Sequence, residues 1–258
     1  MSDDCNRTPF WQRQPILPLE IQGVLRTRME AALADPRARE ALVWPTILGA
    51  PRLRQAHPDG LPEEDLLAHA ARLLAPLGIF DPGAAWRTHR EAWADTAEAG
   101  PRGWRPAAAW GAWGPLVSLR CGWQLAALTP LPLDDRYPLA CGVSLFNHGL
   151  FYECHDALEP LWDLASGELR DSLQGLILMA AGHHHLQLHN LPGMRAVWED
   201  ALARLAPCGG LVATPWGEVR AEAALDLTAR RLERARLATG GGDLTDLWAL
   251  DRPTWELR

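Results

Sequence analysis

Apolar positions recur along most of this chain at helical spacing. Between Leu19 and Leu33, the residues Ile21, Val24, Leu25, Met29 and Leu33 fall three or four apart, which predicts an amphipathic helix stopped by Asp35-Pro36. A second helix is expected from Pro62 to Leu74, with Leu66, Leu67, Ala70, Leu73 and Leu74 on one side and Gly78 past its end. A third is expected from Pro82 to Glu98, ending before Gly100-Pro101 and carrying Trp86 and Trp93 one heptad apart.

The pattern then breaks. Proline, glycine and tryptophan interrupt residues 100 to 133, which read as a loop-rich connector in which Leu116–Leu128 could form strand or helix. Pro130, Pro132, Asp134 and Asp135 mark a boundary, because proline and aspartate together favour turns. Helical spacing returns from Pro138 to His148, closed by Gly149, and again from Leu150 to Leu164. After a break at Gly167, a long apolar helix is expected from about Glu168 to Leu188, with Leu173, Leu176, Ile177, Ala180 and Ala181 inward. Asn190 is the expected N-cap of a helix with Pro192 in its first turn, which carries Val197, Trp198, Leu202 and Leu205 and stops at Pro207 and Gly209. A last helix is expected from Thr214-Pro215 to Leu237.

The expected fold class is all-α. Residues 138–238 should form a multihelical antiparallel bundle with helix-turn-helix units, preceded by an N-terminal helical region, 1–137, whose last part from about 100 is the connector. Gly240, Gly241 and Gly242 open a tail, 239–258, in which Leu244, Leu247, Trp248 and Trp255 are too apolar to stay in water. That tail should pack on the body or on a partner.

Composition narrows the setting. With 258 residues, 48% of them apolar, the chain can build a real core without staples. No stretch approaches the ~18 apolar residues of a membrane span, and the N-terminus lacks an apolar signal region, so a cytoplasmic protein with no membrane partner is expected. The five cysteines are scattered without a CxxC pair, so they are expected to be reduced and buried, holding neither disulfides nor structural zinc. A net charge of −7 argues against a nucleic-acid partner, and Arg230, Arg231, Arg234 and Arg236 read as one solvated helix face. Thirteen tryptophans are expected to fill the core and subunit contacts, which together with the apolar tail points to a homodimer or another protein partner.

The candidate chemistry is concentrated between Phe146 and Asn190, where six of the nine histidines sit beside Glu153, Asp156 and Glu159 on otherwise apolar helices. Burying such groups is costly unless they are paired, metal-bound or held for a task. Successive helical residues turn by about 100°, so His155, Glu159 and Trp162 share one stripe, while Glu153, Asp156 and Pro160 share another. Gln174, Ile177, Ala181 and His185 share a face that His189 extends, and His183 and His184 point elsewhere. Glu153 lies in a first turn, within reach of free backbone N–H groups or Asn147.

Residues from Gly142 to about Leu237 resemble the DUF309 family, an all-helical domain of unknown function. The resemblance rests on Phe146, Asn147, Gly149, Phe151, Tyr152, Glu153, His155, Leu158, Glu159, Leu161 and Trp162, then on Arg170, Leu173, Gln174, Gly175, Leu176, Ile177, His185 and Asn190. Asp156 stands where the family pattern has glutamate, His148 and Asp163 depart from it, and His189 replaces the glycine before Asn190. Residues 1–138 carry no such resemblance.

Three readings of the segment stay open. His155 and Glu159 could meet His185, with His189 nearby, as a zinc, iron or manganese site of a hydrolase or oxidase, with Glu153 as base. The same groups could form a metal-free pocket with His155 or His185 as general base and Gln174 or Asn147 as polar contacts; Cys154 is expected to be an inert buried thiol. Or Glu153, His155, Glu159, Trp162, Gln174, His185 and Asn190, with Arg170 from the family pattern, form a structural network that fixes helix register in an interaction module.

Overall fold

A computed structural model describes residues 17–92, 97–237, 247 and 251–258. Eleven α-helices and two small antiparallel sheets lie among them, so the fold is essentially all-α. The chain divides at Pro130/Leu131 into two compact units. No helix among the described residues is long and apolar enough to cross a membrane.

In the N-terminal unit, α1 (Leu19–Ala34) buries Ile21, Leu25, Met29 and Ala32 on the face its periodicity predicts. Asp35 ends it, and its carboxylate accepts from the Arg37 N–H to start a 3-10 turn, Pro36–Leu42. Next come α2 (Val43–Leu48), α3 (Pro51–Ala56) and α4 (Glu63–Leu74), the last with three acidic residues at the positive end of its dipole. Pro62 caps α4 from outside rather than opening it. Gly78, in the left-handed region at φ 76°, turns the chain toward α5 (Pro82–Ala92).

Two expectations here are corrected. Glu98 does not end a helix: it belongs to β1 (Ala97–Gly100), paired antiparallel with β2 (Gly103–Pro106). Paired N–H···O bonds of 2.8 Å between Leu61 and Trp104 anchor this hairpin, and that long-range pairing overrides the local helical spacing. Trp93 lies outside the described residues. The expected loop-rich connector is also largely regular, since α6 (Gly114–Leu128) is a 15-residue helix packed on α2. Its Pro115 falls in the first turn, where the missing N–H has no helical partner to lose. Trp44, Trp86 and Trp104 meet at ring distances of 4.9 and 5.1 Å in this unit's core, with His89 stacked 5.7 Å from Trp86.

In the C-terminal unit the expected order holds for four successive helices: α7 (Tyr137–Asn147), α8 (Phe151–Leu164), α9 (Gly167–Gln187) and α10 (Leu191–Leu205). Each packs on the next. The α9–α10 approach is closest at Gly175 and Gly182, where an added Cβ would meet Leu205 at 2.6 Å and Trp198 at 2.2 Å. Any larger residue would require the Leu205 or Trp198 side chain to shift.

The last helix starts later than expected. Thr214-Pro215 opens a turn between β3 (Leu211–Thr214) and β4 (Gly217–Arg220), and α11 begins at Glu222 and runs to Leu237. The Thr214 hydroxyl donates to the Gly217 carbonyl and accepts from the Trp216 N–H, so it closes a hairpin instead of capping a helix. The tail does pack back: β5 (Glu256–Leu257) adds a third strand against β4, while Leu247 and Trp255 are buried. Gly240, Gly241, Gly242, Leu244 and Trp248 lie outside the described residues. Cys121, Cys141 and Cys154 are buried and Cys208 half-buried, all as free thiols; Cys5 lies outside the described residues.

Candidate functional site

Most of the polar residues singled out between Phe146 and Asn190 contact backbone. The Asn147 side chain, at the end of α7, grips the Trp255 peptide at both ends, donating to its carbonyl and accepting from its N–H at 2.8 Å each. Trp255 then stacks on Phe146 at 3.7 Å, with 7° between the rings. Arg170 donates to the carbonyls of Trp162 and Ala165 at the end of α8 and lies 3.6 Å over the Trp162 ring. Asn190 is the N-cap of α10: it accepts from the Gly193 N–H at 3.1 Å and donates to His185 Nδ1 at 3.1 Å. His185 thus faces the corner between α9 and α10, with burial holding its pKa below the usual histidine range. His189 is exposed at that corner, with φ 56°. Gln174 is half-buried on α9.

Sequence reasoning missed the most buried part of this network. His183, set aside from the main face, is 1% exposed and touches the rings of Phe146, Phe151 and Trp198 at 4.8 to 5.5 Å. Its Nδ1–H donates to the Met179 carbonyl at 2.8 Å, and its Nε2 accepts from Arg231 at 3.3 Å. The Arg231 contact requires the neutral ring, and the Met179 contact then places its one proton on Nδ1. Burial, reinforced by the Arg231 charge, pushes its pKa down to about 3. Arg231 is itself fully buried, not on a solvated face, and donates to the carbonyls of Leu247 and Asp251. One turn after His183, the Gln187 amide donates to the Gly149 carbonyl at 2.9 Å. The spacing of His183 and Gln187 by four was the available signal.

Glu153 and Cys154 are buried in the first turns of α8. Burial first, and then the Glu153 carboxylate, raises the Cys154 pKa well above the ordinary thiol value, so this sulfur is not an activated nucleophile.

A different set reaches solvent. His155, Asp156 and Glu159 each offer one ligand atom, all within 4.8 Å of one another. His155 Nδ1 lies 3.2 Å from Asp156 Oδ1, and its Nε2 lies 3.6 Å from Glu159 Oε1. Pro160 has no N–H to give to the Asp156 carbonyl one turn back, which loosens α8 at the cluster. Tyr152 stacks beside His155 at 6.4 Å and meets His184 of α9 at 5.3 Å. The structure therefore brings His155 and Glu159 together and adds Asp156 from the stripe expected to point away. His185, the third expected ligand, is not a member of this group, which is the one such cluster among the described residues.

The geometry poses a chemical question. A neutral His155 carries one ring proton, which can go to Asp156 through Nδ1 or to Glu159 through Nε2 but not to both. A positive charge at the ring, either a second proton or a metal ion on one nitrogen, would satisfy both carboxylates at once.

Residues 139–197 match the family model for DUF309, a domain of unknown function, and the rest of the chain is outside the match. No curated protein matches the chain. No solved structure matches it either.

Proposed function

We propose that this protein is a binding protein whose DUF309-like segment presents a shallow divalent-cation site on a rigid helical scaffold. The observation that carries this reading is the convergence of His155, Asp156 and Glu159, whose ligand atoms lie within 4.8 Å of one another, with His155 Nε2 3.6 Å from Glu159 Oε1 on successive turns of α8. Asp156 supports it by holding Nδ1, the usual second partner of a metal-bound imidazole. Mixed nitrogen and oxygen donors suit zinc, iron or manganese, and two protein ligands leave open positions for water or an anionic ligand.

The alternative, a metal-dependent hydrolase or oxidase using His155, Glu159 and His185 with Glu153 as base, needs His185 to leave Asn190 and Glu153 to leave the core. Binding without catalysis asks for neither rearrangement. The rest of the motif supports a structural role, since Asn147, Arg170 and Asn190 hold backbone rather than line a pocket.

Calorimetric titration of untagged protein with Zn²⁺ and Mn²⁺ above neutral pH tests the proposal. One ion per chain is expected to bind, with His155→Ala and Glu159→Gln each weakening it about tenfold or more, and His185→Ala leaving it intact. Undiminished binding in His155→Ala, or equal loss in His185→Ala, would overturn it.

A further inference from the structure

The N-terminal unit holds a cleft of about 460 Å³ between α2, α3, the β2 strand and the start of α6. That volume lies within the range of small-ligand sites. Its walls include Leu48, Leu53, Pro106 and Pro115, and its polar lining includes Arg54, His57 and Arg105. No aspartate or glutamate lines it, although acidic residues outnumber arginines 32 to 25 in the chain.

The two arginines differ. Arg105 is answered by Glu98 at 2.6 Å, so its charge is largely offset. No carboxylate among the described residues pairs with Arg54, whose guanidinium lies so near the first residue of α6 that a Cβ added to Gly114 would be 2.9 Å from Nη1. That end of α6 carries the positive pole of its dipole and has no side-chain cap. Two like-signed features therefore meet at one end of an apolar cleft.

We propose that this cleft binds a small molecule bearing a single carboxylate on an apolar body. Arg54 receives the carboxylate through its planar fork, and the leucine and proline walls take the body. A single negative charge matches Arg54, the cleft guanidinium that no carboxylate among the described residues answers; a phosphate dianion would leave a charge unmatched. Trp104, on the wall, fixes the location: its indole N–H donates to Glu63 at 3.0 Å and its ring lies 4.8 Å from Arg90.

The experiment follows indole N–H resonances of the full chain while naphthalene-2-carboxylate, its neutral amide or inorganic phosphate is added, with Trp104→Phe identifying the Trp104 signal. The acid is expected to shift that signal saturably, and the amide and phosphate to bind at least about tenfold more weakly, the usual scale for a charge-assisted pair. Arg54→Gln should weaken the acid by a similar factor, whereas Arg72→Gln, outside the cleft, should not. Circular dichroism melts establish that both variants are folded. Equal binding of acid and amide, tighter binding of phosphate, an unaffected Arg54→Gln variant, or no response at millimolar acid would each overturn the assignment.

Discussion

His189 shows how one residue can carry a cost that the surrounding structure absorbs. It stands where the DUF309 pattern has glycine, and its φ of 56° is the left-handed conformation that follows the end of α9. A side chain there is strained by about 1 kcal/mol relative to glycine. His189→Gly is accordingly expected to raise the urea midpoint by a stabilisation of about 1 kcal/mol; an unchanged or lowered midpoint would show that the imidazole makes a compensating contact. At this scale the sequence was only partly readable. Helical angles separate His183 from the His185 face of α9, but they cannot show that His183 faces Arg231, because that partner lies 48 residues away and looked solvent-facing. Nor can an angular projection reveal that adjacent His155 and Asp156 turn their side chains toward each other.

Elements were more legible than their partners. Helices α1 and α7 to α10 fall where spacing and caps place them, because each has an unbroken apolar stripe and a strong stop. The two hairpins were missed for a physical reason: strands of four residues give too short an alternation to compete with neighbouring helical patterns. The alternation was there, with Val212 and Val219 buried opposite each other on β3 and β4. The tail, too, is held by more than its apolar content, since Asn147 and Arg231 both bind its backbone. Trp255→Ala should remove a side chain that is 2% exposed and stacked on Phe146, costing roughly 3–5 kcal/mol in chemical denaturation. Leu164→Ala, at a position 77% exposed, should cost almost nothing. Equal effects of the two would mean that the tail contributes nothing to the unit's stability.

Across the whole molecule, each unit contains one buried neutral histidine. Burial, with Arg28 adding to it, pushes His89 down to about 3, as burial and Arg231 do for His183. Both native values lie below the ordinary 6.5, so below that pH the unfolded chain takes up protons that the folded chain refuses. The stability present above pH 6.5 is then lost progressively as pH falls toward 3, by about 2 kcal/mol per histidine at pH 5. Glu40 acts the other way: burial raises it to about 7, so its protonation between 7 and 4.5 favours the fold. Two histidines against one carboxyl predict a net loss on acidification, read as a lower urea midpoint at about pH 5 than at about pH 7.5, with a smaller difference in His183→Gln. A midpoint that rises on acidification would contradict the neutral assignment of both rings.

The grip of Asn147 on Trp255 spans 108 residues of chain. Closing so long a loop costs entropy before any contact compensates it, whereas α7 to α10 touch their neighbours in sequence and can assemble quickly. The contact between Asn147 and Trp255 is therefore expected to form late in folding. A contact that forms late should act chiefly as a brake on unfolding, so Asn147→Ala is expected to speed unfolding and leave the folding rate almost untouched.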